Sequence, residues 1–166
     1  DEGYSNAKAN LGVFYRDGVG VSKDPKKAVQ LFIEAANDGD TNAQTNLAYS
    51  YENGNGIEKD IKKAIYWYTK AAEGGNAVAQ NNIGSCYQNG MGVPSDIKKA
   101  FYWYEKAANN GNAKGQYSIA WCYENGKGTV FDYKKAFYWY EKSAQQGYEL
   151  AQAAIAEFYY YGRGVK

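Results

Sequence analysis

The feature that most constrains this chain is a repeat of 36 residues. Ala28, Ala64, Ala100 and Ala136 recur at that spacing, as do Gly39, Gly75, Gly111 and Gly147. The pairs Gly18/Gly20, Gly54/Gly56, Gly90/Gly92, Gly126/Gly128 and Gly162/Gly164 mark five copies without an insertion or deletion. A spacing held this rigidly means geometrically equivalent units stacked on one another.

Within a unit, Ala7, Leu11 and Tyr15 are four apart, as are Ala43, Leu47 and Tyr51, which is one face of a helix, here helix A. The Gly of Asp17-Gly18, Asn53-Gly54, Asn89-Gly90 and Asn125-Gly126 falls where a chain turns left-handed after a helix. Asp24, Asp60, Asp96 and Asp132 then stand where a carboxylate accepts a backbone N–H and opens helix B, with Pro25 at the first helical position. Helix B is expected to run about 13 residues, to the next glycine. Its buried stripe reads Ala28/Phe32/Ala35, Ala64/Tyr68/Ala71, Ala100/Tyr104/Ala107 and, one residue off, Ala136/Tyr140/Ala144. One such hairpin cannot close a core alone, so the expected object is an all-α solenoid whose stability comes from neighbouring copies.

Composition removes several function classes. With no His, neither Ser-His-Asp nor Cys-His catalysis nor a His-containing zinc site can be built. A formal charge of +1 leaves no global field to steer the chain toward nucleic acid. No run approaches the about 18 apolar residues of a membrane span. Two cysteines and no Asn-x-Ser/Thr acceptor point toward a reducing, cytoplasmic setting.

The pattern Ala-x3-Leu-Gly-x2-Tyr-x2-Gly-x-Gly-Val followed by Asp-x2-Lys-Ala-x2-Trp-Tyr-x-Lys-Ala-Ala-x2-Gly resembles the Sel1-like repeat, a relative of the tetratricopeptide repeat. Residues 76–111 fit it well, and the resemblance covers essentially the whole chain. It implies a right-handed α-α superhelix, one domain over 1–166 with repeats near 4–39, 40–75, 76–111, 112–147 and a partial 148–166. Its implied role is a scaffold that assembles other proteins. Cysteine-rich members bridge helices within a repeat. Here Cys86 and Cys122 hold the same slot of adjacent copies, about a helix diameter apart and too far to bridge, so free buried thiols are expected. Asp1-Glu2-Gly3 aligns with the end of a helix B, and the chain stops in a loop, so it reads as cut from a longer array. Uncapped ends around Leu150, Phe158 and Tyr159 then predict end-to-end contact between copies.

Slots that vary between copies are free of the packing constraint. Positions 9, 13 and 16 of helix A read Ala9/Val13/Arg16, Thr45/Tyr49/Glu52, Asn81/Ser85/Gln88, Tyr117/Trp121/Glu124 and Ala153/Glu157/Tyr160. Similarity to tetratricopeptide repeats places them on the concave surface. The other three Trp share one helix-B slot, so Trp121 is the outlier. Tyr49, Tyr117 and Trp121, with Glu52, Gln88, Asn89, Glu124 and Asn125, form the candidate groove for a peptide or protein partner. The alternative is a ridge on helix B, Lys62/Tyr66/Lys70, Lys98/Tyr102/Lys106 and Lys134/Tyr138/Lys142, suited to an anionic ligand or nucleic acid. A purely structural spacer is the third reading. Ser5-Asn6-Ala7-Lys8 and Ser95-Asp96-Ile97-Lys98 match Ser-x-x-Lys but lack its companion motifs, and Ser5 reads as a cap of helix A. The Gly-x-Gly loops lack a Gly-Lys-Ser/Thr ending. No enzyme, cofactor or metal is expected.

Overall fold

The computed structural model describes residues 2–164; Asp1, Val165 and Lys166 of the terminal segments read above lie outside them. Among the described residues there are nine helices: α1 (Glu2–Asp17), α2 (Pro25–Asn37), α3 (Thr41–Asn53), α4 (Ile61–Glu73), α5 (Ala77–Asn89), α6 (Ile97–Asn109), α7 (Ala113–Asn125), α8 (Tyr133–Gln145) and α9 (Glu149–Tyr161). The result is an all-α repeat solenoid of paired helices. Odd-numbered helices are helix A and even-numbered ones helix B. The chain forms two compact units, Asp1–Ala79 and Gln80–Lys166.

The capping read from the sequence is present. Asp24, Asp60, Asp96 and Asp132 each accept the backbone N–H three residues on, at 3.0 Å. Gly54, Gly126 and Gly162 close α3, α7 and α9 in the left-handed region. Helix A has its own caps, at a slot the sequence reading passed over: Asp40, Asn76 and Asn112 accept from Ala43, Ala79 and Gly115. Ser5 is not among them. It lies inside α1, buried, and donates to Asp38 Oδ2 at 3.1 Å. Gly3 lies within α1.

Helix A has two apolar edges, and the ends of the chain separate them. In α3, Ala43, Leu47 and Ser50 are buried, and so are Thr45 and Ala48. In α1, Ala9 is buried whereas Leu11 and Phe14, the copies of Leu47 and Ser50, are exposed. In α9 the pattern inverts: Ala151 and Phe158 are buried against α8, and Ala153 and Ala156 are exposed. One edge therefore meets the preceding helix B and the other its own. The expectation of Phe158 as exposed apolar surface is thereby corrected, since its ring lies 5.5 Å from Tyr140 and 5.6 Å from Tyr133. Leu150 and Tyr159 are exposed as expected. A second correction concerns α8, where Ser143 and not Ala144 fills the buried stripe; its hydroxyl donates to Ala113 O at 2.7 Å.

The second glycine of the Gly-x-Gly loops at Gly56, Gly128 and Gly164 is a joint between copies. A Cβ on Gly56 would lie 2.1 Å from Pro25 O, and on Gly128 2.6 Å from Ile97 O, so the loop sits directly on the first turn of the preceding helix B. A Cβ on Gly20 would meet nothing within 4 Å among the described residues. Inside the hairpin the large helix-B residue forms the core: Phe32 in the first unit and Tyr140 in the second are almost fully buried. Burying one such ring contributes about 1.5–3 kcal/mol. Each tyrosine in that slot brings a hydroxyl that needs an acceptor. Tyr68, Tyr104 and Tyr140 donate to Glu52, Gln88 and Glu124, each sixteen residues earlier, at 2.7, 2.8 and 2.8 Å. Phe32 has no hydroxyl, and its slot partner is Arg16.

Candidate functional site

In the second unit a cleft of about 310 Å³ opens on the helix-A face. Ser85 and Gln88 of α5 form one wall, Lys114, Tyr117, Ser118 and Trp121 of α7 the other, with Tyr104 beneath and Tyr148 and Leu150 at the α8–α9 end. Spacing of three and four places Tyr117 and Trp121 on one face of α7. Tyr117 is held by neighbours and does not project freely: its ring lies 5.4 Å from Tyr140 and 5.3 Å from Tyr148. Trp121 is half-buried against the same aromatic core. A rigid aromatic wall loses little side-chain entropy when it is covered by a ligand.

The polar atoms around the cleft are partly committed. Gln88 Oε1 accepts from Tyr104, which leaves its amide N–H groups for a ligand. Ser118 donates to Asn81 Oδ1 at 3.2 Å. Burial raises the phenol pKa of Tyr117, with Tyr148, Glu124 and Glu157 adding to it, and burial also raises that of Tyr104. Both hydroxyls are therefore protonated donors at neutral pH. Lys114 stands at the rim.

Of the groove residues named from the sequence, Gln88, Tyr117 and Trp121 line this cleft together. Glu124 accepts from Tyr140 and lies 3.6 Å from the Arg163 guanidinium. Asn89 and Asn125 are exposed and donate within their own helices, to Ser85 Oγ and Trp121 O. Tyr49, half-exposed, and Glu52, bonded to Tyr68, belong to the first unit. Slots 16, 52, 88 and 124 vary for a packing reason as well: they follow the residue that helix B puts opposite. Lys114, Ser118 and Tyr148 were not anticipated. Tyr148 was open to notice, because it departs from the acidic or amide cap at slots 40, 76 and 112.

On the helix-B ridge, Tyr66, Tyr102 and Tyr138 are about half-exposed. Their lysines are not idle: Lys106 and Lys142 lie 5.1 Å from the ring centres of Tyr102 and Tyr138, and Lys70 lies 5.2 Å from that of Trp67. A second ladder went unread in the sequence, with Lys27, Lys63, Lys99 and Lys135 over Tyr15, Tyr51, Tyr87 and Tyr123 at 4.3–5.3 Å. Cys86 and Cys122 are free and buried, and burial pushes the Cys122 thiol up to about 12. Among the described residues no group of three or more His, Cys, Asp or Glu is placed to hold a metal ion, and no helix is long and apolar enough to cross a membrane.

Stacked helical hairpins with an open helix-A face define a repeat protein of the kind that generally mediates protein–protein interaction. The Sel1 repeat model matches residues 5–40, 41–76, 77–112, 113–148 and 149–166, and the chain belongs to the Sel1 repeat family. Among solved structures it is similar to a Sel1 repeat protein from Oxalobacter formigenes, at 34% identity and TM-score 0.87 over 98% of this chain. It is similar also to c5321, a protective antigen of uropathogenic Escherichia coli with the same repeat fold, at 38% identity and TM-score 0.88 over 99%. The chain spans 64% and 35% of those two proteins. Helicobacter pylori cysteine rich protein B matches at 28% identity and TM-score 0.63, over 80% of this chain and 95% of that one. Comparison with curated protein sequences finds no match.

Proposed function

We propose that this chain is a non-enzymatic scaffold that holds a peptide or protein partner on its helix-A face, with the Tyr117–Trp121 cleft as the anchor. The observation that carries the reading is that Tyr117, Trp121 and Tyr148, which the repeat pattern does not call for, converge on one opening beside the donors of Gln88 and Lys114. Aromatics in a partly desolvated recess are the usual anchors of an interface, and amide donors engage a peptide backbone with little demand on its sequence. The helix-B ridge is the weaker reading, because Lys70, Lys106 and Lys142 already face rings on their own helices.

Selection of a random peptide-display library on the immobilised protein tests this. Enriched peptides should bind Trp121→Ala at least about tenfold more weakly, the usual scale for an interface anchor. Tyr49→Ala, the copy of Trp121 in the first unit, should bind them unchanged. Peptides that ignore Trp121→Ala, while that variant keeps its helical circular dichroism and thermal midpoint, refute the assignment.

A further inference from the structure

Among the described residues, the α7–α8 connection is the only loop between helix A and helix B with two apolar side chains at the slots just before the helix-B cap, although Val19 of the α1–α2 loop is also exposed. At equivalent slots the earlier copies carry Ser22-Lys23, Glu58-Lys59 and Pro94-Ser95; the fourth carries Val130-Phe131. All eight residues are exposed, including those in copies followed by a further repeat, so the exposure belongs to the slot and not to the nearby chain end. Val130 is 83% exposed and Phe131 51%. Phe131 is nonetheless held in place, with its ring 4.4 Å from that of Tyr133.

The surroundings are basic. Lys127 precedes the tip, and Lys134 and Lys135 occupy the first turn of α8. Gly128 rests on Ile97, which brings the loop against the first turn of α6 and its Lys98 and Lys99. The carboxylates at this edge are committed, as Asp132 caps α8 and Asp96 caps α6 while lying 3.9 Å from Lys99. Lys99 and Lys135 cover Tyr87 and Tyr123, whereas among the described residues Lys98, Lys127 and Lys134 have no ion pair or ring partner. Cations at a helix N-terminus oppose its dipole, so Lys98 and Lys134 do not serve helix stability.

We propose that this edge is a second interaction surface, separate from the cleft, whose occupant is an anionic lipid bilayer: Val130 and Phe131 enter the interface and the lysines lie over the headgroups. Two adjacent exposed apolar side chains gain by leaving water, and each nearby Lys adds attraction to an anionic leaflet. A polyanion in water would use the same lysines and leave Val130 without purpose.

Co-sedimentation of the full chain with phosphatidylcholine vesicles and with phosphatidylcholine–phosphatidylserine vesicles decides it. Binding is expected to the mixed vesicles alone and to weaken with salt. Val130→Glu with Phe131→Lys installs the second copy's own pair, Glu58-Lys59, at no change in net charge, so the fold is retained. It should lower vesicle binding about tenfold, the scale of partial burial of two apolar side chains. Lys127→Gln with Lys134→Gln should weaken binding and flatten the salt dependence. Three results would each overturn the proposal: no binding to the mixed vesicles at low salt, equal binding by the Glu-Lys variant, or binding to an oligothymidylate that vesicles do not displace.

Discussion

In the first unit Arg16 reaches across from α1 to α3 and donates to Asn46 Oδ1 at 2.7 Å, while Asp17 holds its other side through two bonds of 2.7 and 2.8 Å. In the second unit the same two slots hold Gln88 and Ser118, each bonded elsewhere, and the space between those helices is the cleft. The two units share their hairpins, caps and joints, yet one is bridged and the other open. The cause lies in the hairpin core. A tyrosine on helix B recruits its slot partner on helix A as an acceptor, which draws Gln88 inward; Phe32 makes no such demand and leaves Arg16 to span the gap. A choice between one ring and another in the core thus decides whether the surface above it can receive a ligand.

The sharpest test of the shared part is at the joints. Gly56→Ala and Gly128→Ala should each cost at least about 3 kcal/mol, because a Cβ would collide with backbone and the residue would also sit at positive φ; Gly20→Ala should cost only the latter, about 1 kcal/mol. Urea unfolding of the three variants checks this, and equal losses would break the claim that these glycines join copies.

Phe32→Tyr attacks the differing part. It buries a hydroxyl opposite Arg16, which has no acceptor, at a cost of about 1–3 kcal/mol, and adding Arg16→Gln should recover most of it. A double-mutant cycle with no coupling would dissolve the link between core and surface.

The comparison also bears on binding. Gln88→Arg with Ser118→Asn transplants the first unit's bridge into the second, and peptides selected on the intact protein should lose about tenfold or more in affinity as the cleft fills. Undiminished binding by fluorescence polarisation would place the ligand elsewhere.

The smallest expected effect repairs a defect of the first unit. Gln116 Oε1 accepts from Gln146, and Gln80 Oε1 from Asn110, thirty residues on; the corresponding Gln44 Oε1 is buried without a partner because Gly74 fills the donor's slot. A Cβ on Gly74 would meet Thr41 at 2.7 Å, whereas the copies of Thr41 at 77 and 113 are alanine. Gly74→Asn with Thr41→Ala should therefore raise stability by about 1 kcal/mol, and a lowered thermal midpoint would contradict this account.

Much of this was readable in advance, for a physical reason. Helix periodicity, Asp caps and left-handed glycines are local, so the boundaries of the helices followed from neighbouring residues. Copies also control for one another, and Trp121 stood out because three sister tryptophans occupy a different slot. The failures lie where the relevant partner is distant. Ser5 was read as a cap because its bond to Asp38 spans 33 residues. Phe158 was read as exposed because the rings of α8 that cover it lie on another helix, and Glu52, Gln88 and Glu124 were read as unconstrained because their tyrosines do too.

The order of residues alone therefore determined the class of object: a 36-residue period with alternating small and large faces has no way to bury its apolar atoms except by stacking. Which gap between helices stays open was left to the folded molecule. That outcome depends on whether Arg16 or Gln88 finds its partner on the adjacent helix or across the groove, a choice between hydrogen bonds that exist only once the helices lie side by side.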